Sequence, residues 1–228
     1  MRRRALAALY LMAGLTVAAC HGAATSRQAP VTPPSAPAAQ ALFRPEALGL
    51  LEDPDRDEWQ QPDKVMDELH IADGSRVADV GAGGGWFTTR LARRVGPNGA
   101  VYAEDVQKQM VEAIEERARQ EGLSNVHAIL SSSSDPMLPP NLDAVLIVDA
   151  YGQLAHPIDV LDHIAAALAQ NGRVGVVDFK PNGDGGPGPP ADLRIDPEHV
   201  VADAARAGLT VRSRETALRY QYVIIFGR

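Results

Sequence analysis

Residues 77–87 read Val-Ala-Asp-Val-Gly-Ala-Gly-Gly-Gly-Trp-Phe. Glycine fills four of the five positions from Gly81 to Gly85. Before them lies a short apolar run of strand length, 76–80, and after them a segment with helical apolar spacing, 86–95. A strand that passes at once into a helix sets the helix N-terminus, with its unpaired N–H groups, beside the strand end. Gly81 supplies the tight turn and Gly83 lets backbone approach a ligand closely. Few arrangements other than an open α/β sheet use such a turn.

The rest of the body agrees. Short apolar runs alternate with amphipathic segments, the pattern of a sheet covered by helices. Spacing predicts helices at 62–70, 86–95, 107–121 and 156–169, with a further helix opened by Asp196-Pro197-Glu198, Asp as N-cap and Pro in the first turn. Strands are predicted at 76–80, 100–104, 126–130, 142–148 and 173–179, with Asn171-Gly172 breaking the chain before the last of these. The run 142–148 is the most apolar, as suits a central parallel strand buried on both faces. Two final strands, 209–215 and 220–226, suggest an antiparallel hairpin at the sheet edge. The expected fold class is doubly wound α/β, a mostly parallel seven-stranded sheet with a C-terminal antiparallel hairpin. The Gly/Pro-rich loop 181–190 lies where a lid over substrate could sit.

The chain has 228 residues, 45% hydrophobic and 22% charged, with net charge −7. An acidic body does not suggest a nucleic-acid partner, which needs clustered Lys and Arg. One cysteine, Cys20, excludes an intrachain disulfide and a thiolate zinc site. The N-terminus reads Met1-Arg2-Arg3-Arg4, then an apolar run 5–19 ending Val17-Ala18-Ala19-Cys20. That ending resembles the bacterial lipobox, which implies a lipoprotein signal peptide at 1–19 and lipidation of Cys20. The alternatives are a plain signal peptide, or an internal start at Met12. Residues 20–40, rich in Ala and Pro, cannot bury a core and read as a tether, which leaves 41–228 as one domain.

The glycine loop also discriminates between cofactors. A dinucleotide site wants a third glycine three positions after the second, where this chain has Trp86. Asp79 would repel a diphosphate but suits a ligand carrying an ammonium and a sulfonium. No Tyr has a Lys four positions on, as a short-chain dehydrogenase would need. Residues 77–87 resemble motif I of the class I (Rossmann-like) methyltransferases. Supporting pieces are Arg56-Asp57-Glu58-Trp59-Gln60, Val101-Tyr102-Ala103-Glu104-Asp105-Val106 and Asp135-Pro136-Met137-Leu138-Pro139, together with 145–151 and Gln221-Tyr222. The resemblance implies S-adenosyl-L-methionine as cofactor. Gly81, Ala82 and Gly83 would contact its methionine part, with Gly85 in the same loop, and Asp79 would orient its amino group. Asp105, with Glu104 as the alternative, would bind the ribose hydroxyls, and Asp135 would lie near the adenine. Gly81 and Asp105 are 24 positions apart, near the distance expected for ribose recognition.

Methyl transfer from a sulfonium is an in-line displacement in which the protein mainly holds the reacting atoms in line. Candidates for acceptor contact or catalysis are Asp149 and Tyr151 after the fourth strand, and Asp178 and Lys180 after the fifth. Related sequences often carry a His directly after the aromatic residue, where this chain has Gly152-Gln153. His156, His163 and His199 are not spaced as a metal site. The expected activity is methyl transfer to a small-molecule acceptor. The expected location is the cell envelope, lipid-anchored and facing the periplasm, or the cytoplasm if translation starts internally. A non-catalytic envelope module on the same fold is the alternative, because S-adenosylmethionine is not expected to abound outside the cytoplasm.

Overall fold

The structure is a computed structural model that describes residues 39–183 and 186–228. The expected leader, Cys20 and the tether up to residue 38 lie outside the described residues. A short 3-10 helix, Pro45–Leu51, precedes α1 (Arg56–Gln60), α2 (Pro62–Glu68), β1 (Arg76–Val80), α3 (Trp86–Val95), β2 (Ala100–Asp105) and α4 (Lys108–Gln120). Then come β3 (Val126–Leu130), β4 (Leu142–Val148), a 3-10 turn at Tyr151–Gln153, α5 (Pro157–Ala167), β5 (Leu168–Phe179), α6 (Pro197–Arg206), β6 (Thr210–Glu215) and β7 (Gln221–Gly227).

The seven strands form one sheet in the order β3-β2-β1-β4-β5-β7-β6. Strands β1 to β5 pair in parallel, while β7 runs antiparallel between β5 and β6. The terminal pair is therefore the expected hairpin. Alternate side chains of the central strands feed two cores. Ala78, Val80, Val145, Ile147, Val174 and Val176 pack with α5 and α6. Val77, Ala144, Leu146, Val148 and Val177 pack with α2 and α3. Burial on both faces is why β4 is apolar almost throughout. From β1 the chain winds outward through β2 and β3, then returns to build β4 and β5 on the other side. Ligands bind such sheets in the crevice at the strand C-termini where the winding reverses, here beside β1 and β4.

At the α6 N-terminus, Asp196 accepts a hydrogen bond from the Glu198 N–H at 2.9 Å, with Pro197 at the first helical position. A cap of this kind stabilises by about 1 kcal/mol.

One local expectation is corrected. Asn171-Gly172 does not break the chain but lies within β5. Leu142 pairs with Leu168 and Ala144 with Arg173, so the residues between bulge out of the ladder. Gly172 fits there because a Cβ would lie 2.6 Å from the Leu142 carbonyl oxygen. The structure also adds α1, a helix that the apolar spacing does not reveal. It is a five-residue helix closed by Gln61 in the left-handed region (φ 47°), from which Pro62 opens α2.

Candidate active site

The loop after β1 forms the floor of a cavity of about 280 Å³ that Asp79, Gly81, Ala82, Gly83 and Gly84 line from one side. Gly81 has φ 70°, and a Cβ there would lie 2.6 Å from the Ala150 Cβ, so both its torsion and its surroundings require glycine. Asp79 is 2% exposed, and its Oδ2 accepts the Thr88 hydroxyl at 2.6 Å. Burial pushes its carboxyl up to about 6, a cost that a cation beside it would relieve.

Across the cavity, β2 ends in Glu104 and Asp105. Glu104 accepts the Gly81 N–H at 3.2 Å and the Ser131 hydroxyl. Asp105 accepts the N–H groups of Gly83 at 3.0 Å and Gln107 at 2.9 Å. Burial raises both carboxyls, that of Glu104 to about 7. The two acids thus tie the glycine loop to the end of β2 and face the same space. Ser132, Ser133 and Pro136 close the far end.

Asp149 follows β4 with φ 55°, a left-handed conformation that Asp tolerates better than most residues. Its Oδ2 accepts Gln60 Nε2 at 3.1 Å and faces Arg56 Nη2 at 3.6 Å, while Gln221 Nε2 donates to Oδ1. The Arg56 Nε donates to Gln60, and its guanidinium lies 4.1 Å from the centre of the Trp86 ring. Arg90 covers the same ring at 3.4 Å and pairs with Asp57 through two hydrogen bonds of 2.8 Å. The buried Trp86, which replaces the third glycine, is therefore the seat on which α1 docks. Burial raises the Asp149 carboxyl to about 6 against the pull of Arg56.

A second cavity, about 450 Å³, adjoins the first, and Arg56, Asp149 and Gln153 line both. Its remaining wall includes Trp59, Phe179, Asp53, Asp178 and Pro187-Gly188-Pro189. The segment Gln40–Phe43 passes beside both cavities. It is held by Gln40 N–H to the Gly152 carbonyl at 2.7 Å, Phe43 N–H to Gln153 Oε1 at 2.9 Å, and Gln107 Nε2 to the Phe43 carbonyl at 3.1 Å. The Gln40 amide also occupies the place a side chain at residue 152 would need.

The structure thus brings Asp79, Gly81, Ala82, Gly83, Glu104, Asp105 and Asp149 to one cavity and Asp178 to its neighbour. Four of the expected residues stand outside both linings. Gly85 (φ 78°) lies outside the lining, as the residue that caps α3. Asp135 also lies outside it: its Oδ1 accepts the Met137 N–H at 2.8 Å, which makes it a turn residue. Tyr151 is buried away from both cavities, where its hydroxyl donates to Asp203 at 3.0 Å and burial raises its phenol. Lys180 reaches the carbonyls of Thr216, Leu218 and Arg219, tying β5 to the loop before β7. Among the described residues no group of His, Cys, Asp and Glu could hold a metal ion. His199 faces Asp203 at 3.3 Å, and His163 is exposed.

Residues 71–208 match the methyltransferase-domain family. A SAM-dependent methyltransferase from Aquifex aeolicus superposes with a TM-score of 0.76 at 29% identity, over 81% of this chain and 98% of that one. The nocamycin O-methyltransferase of Saccharothrix syringae is 30% identical over 132 residues, which is 58% of this chain and 44% of the relative. The ubiquinone/menaquinone biosynthesis C-methyltransferase of Ectopseudomonas mendocina is 26% identical over 152 residues, 66% of this chain and 57% of the relative. The chain spans about half the length of the curated relatives it matches. The family match runs from before β1 through α6 and so takes in the glycine loop, both acids of β2 and the exits of β4 and β5. The chain belongs to the methyltransferase-domain family.

Proposed function

We propose that this chain is an S-adenosylmethionine-dependent methyltransferase acting on a small-molecule acceptor. The observation that carries the reading is Asp79, a buried carboxylate with a single side-chain donor among the described residues, set at the floor of a cavity beside a glycine that admits no side chain. Asp79, Glu104, Asp105 and Asp149 outnumber Arg56 around that cavity, a charge balance that rejects a diphosphate and fits a cationic nucleoside. Bound there, the cofactor supplies a methyl group on a positively charged sulfur. Asp79 accepts from its ammonium, and the Glu104–Asp105 end of β2 accepts from its ribose hydroxyls. Gly81 and Gly83 let the backbone lie against it. The second cavity, which shares Arg56, Asp149 and Gln153 with the first, holds the acceptor, and the chain's contribution is mainly to align donor and acceptor.

Calorimetric titration with S-adenosylmethionine, S-adenosylhomocysteine and NAD tests this. The first two bind and NAD does not. Asp79→Asn, which keeps the hydrogen bond to Thr88 but removes the charge, weakens S-adenosylmethionine about tenfold or more, the worth of a charge-assisted hydrogen bond. A well-folded protein that ignores both nucleosides would sink the enzyme reading in favour of a non-catalytic module.

For location, the motif ending at Cys20 supports an envelope lipoprotein. Labelled palmitate then enters the wild-type chain in a bacterial host and is lost in Cys20→Ser; equal labelling of the two defeats the idea.

A further inference from the structure

The second cavity holds a buried acid that, among the described residues, accepts a hydrogen bond at only one of its oxygens. Asp178, at the C-terminal end of β5, is 6% exposed and lines the cavity. One of its oxygens accepts the Phe179 N–H at 2.7 Å, and the other has no hydrogen-bond partner among the described residues. Burial and the nearby Asp149 carboxylate hold its carboxyl up at about 7, against the weaker pulls of the Phe179 N–H and of Arg194, whose guanidinium lies 5.6 Å from the Phe179 ring centre and gives its N–H groups to backbone carbonyls. Beside it, Gln221 is fully buried and gives its Nε2 to Asp149, and its Oε1 has no donor among the described residues. The remaining carboxylates are matched: Asp149 by Arg56, Gln60 and Gln221, and Asp53 by the Trp59 indole at 3.4 Å. The cluster is therefore short of hydrogen-bond donors, and three acids face one arginine in the cavity wall, which also carries the rings of Trp59 and Phe179.

We propose that the second cavity takes an amine bearing a flat apolar or aromatic body, and that Asp178 is the catalytic residue that receives the proton from its nitrogen. The inference rests on the methyltransferase reading and adds the acceptor class to it. An ammonium brings three donors and one positive charge, which is what the cluster lacks, and its apolar body lies against Trp59 and Phe179. A carboxylate or phosphate acceptor meets three acids, Asp53, Asp149 and Asp178, and one arginine that Asp149 already faces. The ammonium proton passes to the Asp178 carboxylate. The nitrogen lone pair then forms the new N–C bond as the C–S bond breaks, and the electron pair of that bond stays on sulfur. Nitrogen takes over the positive charge that sulfur gives up, and Asp178 passes its proton to solvent when product leaves.

The test is a binding series that needs no turnover. The chain is saturated with S-adenosylhomocysteine and titrated at pH 7.5 with tyramine, 4-ethylphenol and 4-hydroxyphenylacetate, three probes of similar shape and different charge. Tyramine binds at least tenfold tighter than the other two. Asp178→Asn removes that preference with unchanged affinity for S-adenosylhomocysteine, and Asp178→Glu restores part of it. The variant stays folded, because it replaces a destabilised buried carboxylate with a neutral isostere, and thermal melting verifies this. Equal affinity for the three probes overturns the proposal, as do a preference for 4-hydroxyphenylacetate, a preference that survives Asp178→Asn, and no binding of any probe. Failure of S-adenosylhomocysteine to bind the wild-type chain instead overturns the methyltransferase reading beneath it.

Discussion

A Gly81→Ala protein is expected to lose S-adenosylmethionine binding by more than a hundredfold while remaining folded. Two costs act at this position. Alanine at φ 70° carries a left-handed penalty of roughly 1–2 kcal/mol. Its Cβ would also sit 2.6 Å from the Ala150 Cβ, well inside contact distance, so one of two backbones must move. Overpacking of this kind costs about 1–3 kcal/mol. The loop cannot retreat without loss, because the Gly81 and Gly83 N–H groups are bonded to Glu104 and Asp105. A shift therefore displaces both the cofactor floor and the ribose acids. Gly122 provides the control: it has φ 68° with nothing near its missing Cβ. Gly122→Ala should lose about 1 kcal/mol in denaturant melts and bind normally. The double variant Gly81→Ala/Ala150→Gly removes the collision but keeps the torsional strain, and it should regain most of the binding. If Gly81→Ala binds within threefold of wild type, the close approach of this loop to its ligand is not what the geometry says it is.

The same contrast between local and distant causes explains what could be read from the chain. Strands β1, β3 and β4 and helix α3 match their predicted limits because each is an apolar run or an amphipathic stretch bounded by its own turn residues. The glycine loop was legible for the same reason, and so were the acids that close it, since β2 ends where its apolar pattern ends. Arg56 and Gln60 were visible only as part of a resemblance. Their role depends on Asp149, 89 positions from Gln60, and on Trp86, and nothing in a run of Arg-Asp-Glu-Trp-Gln reports those partners. Small local geometry turns Tyr151 and Lys180 away from the cavities. The 3-10 turn at Tyr151–Gln153 sends the tyrosine to Asp203 and leaves Gln153 on the cavity. Lys180 is captured by carbonyls more than thirty residues away. Asp149 and Asp178 stood on equal footing with these two in the sequence. What separates them is burial beside a cavity, a property of the packed sheet.

The buried acids make stability and cofactor binding respond to pH with opposite signs. Asp79 and Asp149 are pushed up to about 6, Glu104 and Asp178 to about 7, each mainly by burial. In the unfolded chain such groups titrate near about 4. Between these limits the folded protein holds protons that the unfolded chain has released, so rising pH favours unfolding. Stability from these groups is complete below about pH 4, declines as pH rises through 6 and 7, and is level above about pH 8. Raising such a carboxyl from about 4 to about 6 is worth roughly 3 kcal/mol. Because the acids repel one another in pairs the total is less than four such terms, and a loss on the order of 3 kcal/mol from pH 5 to pH 8 is expected. Exposed acids paired with arginine, such as Glu116 and Glu198, act in the opposite direction but weakly, since solvent screens them. Binding runs the other way. A ligand ammonium needs Asp79 ionised, so below pH 6 each bound molecule must displace a proton. Affinity for S-adenosylmethionine should be about tenfold lower at pH 5 than at pH 7.5, with about half a proton released per molecule at pH 6. Titration at pH 6 in two buffers of different ionisation enthalpy reads that proton directly. Asp79→Asn should abolish the release and flatten the profile while the stability of the free protein at pH 8 rises. A flat affinity profile in the wild-type chain, with the same heat in both buffers, would mean that Asp79 does not face the charged end of the ligand.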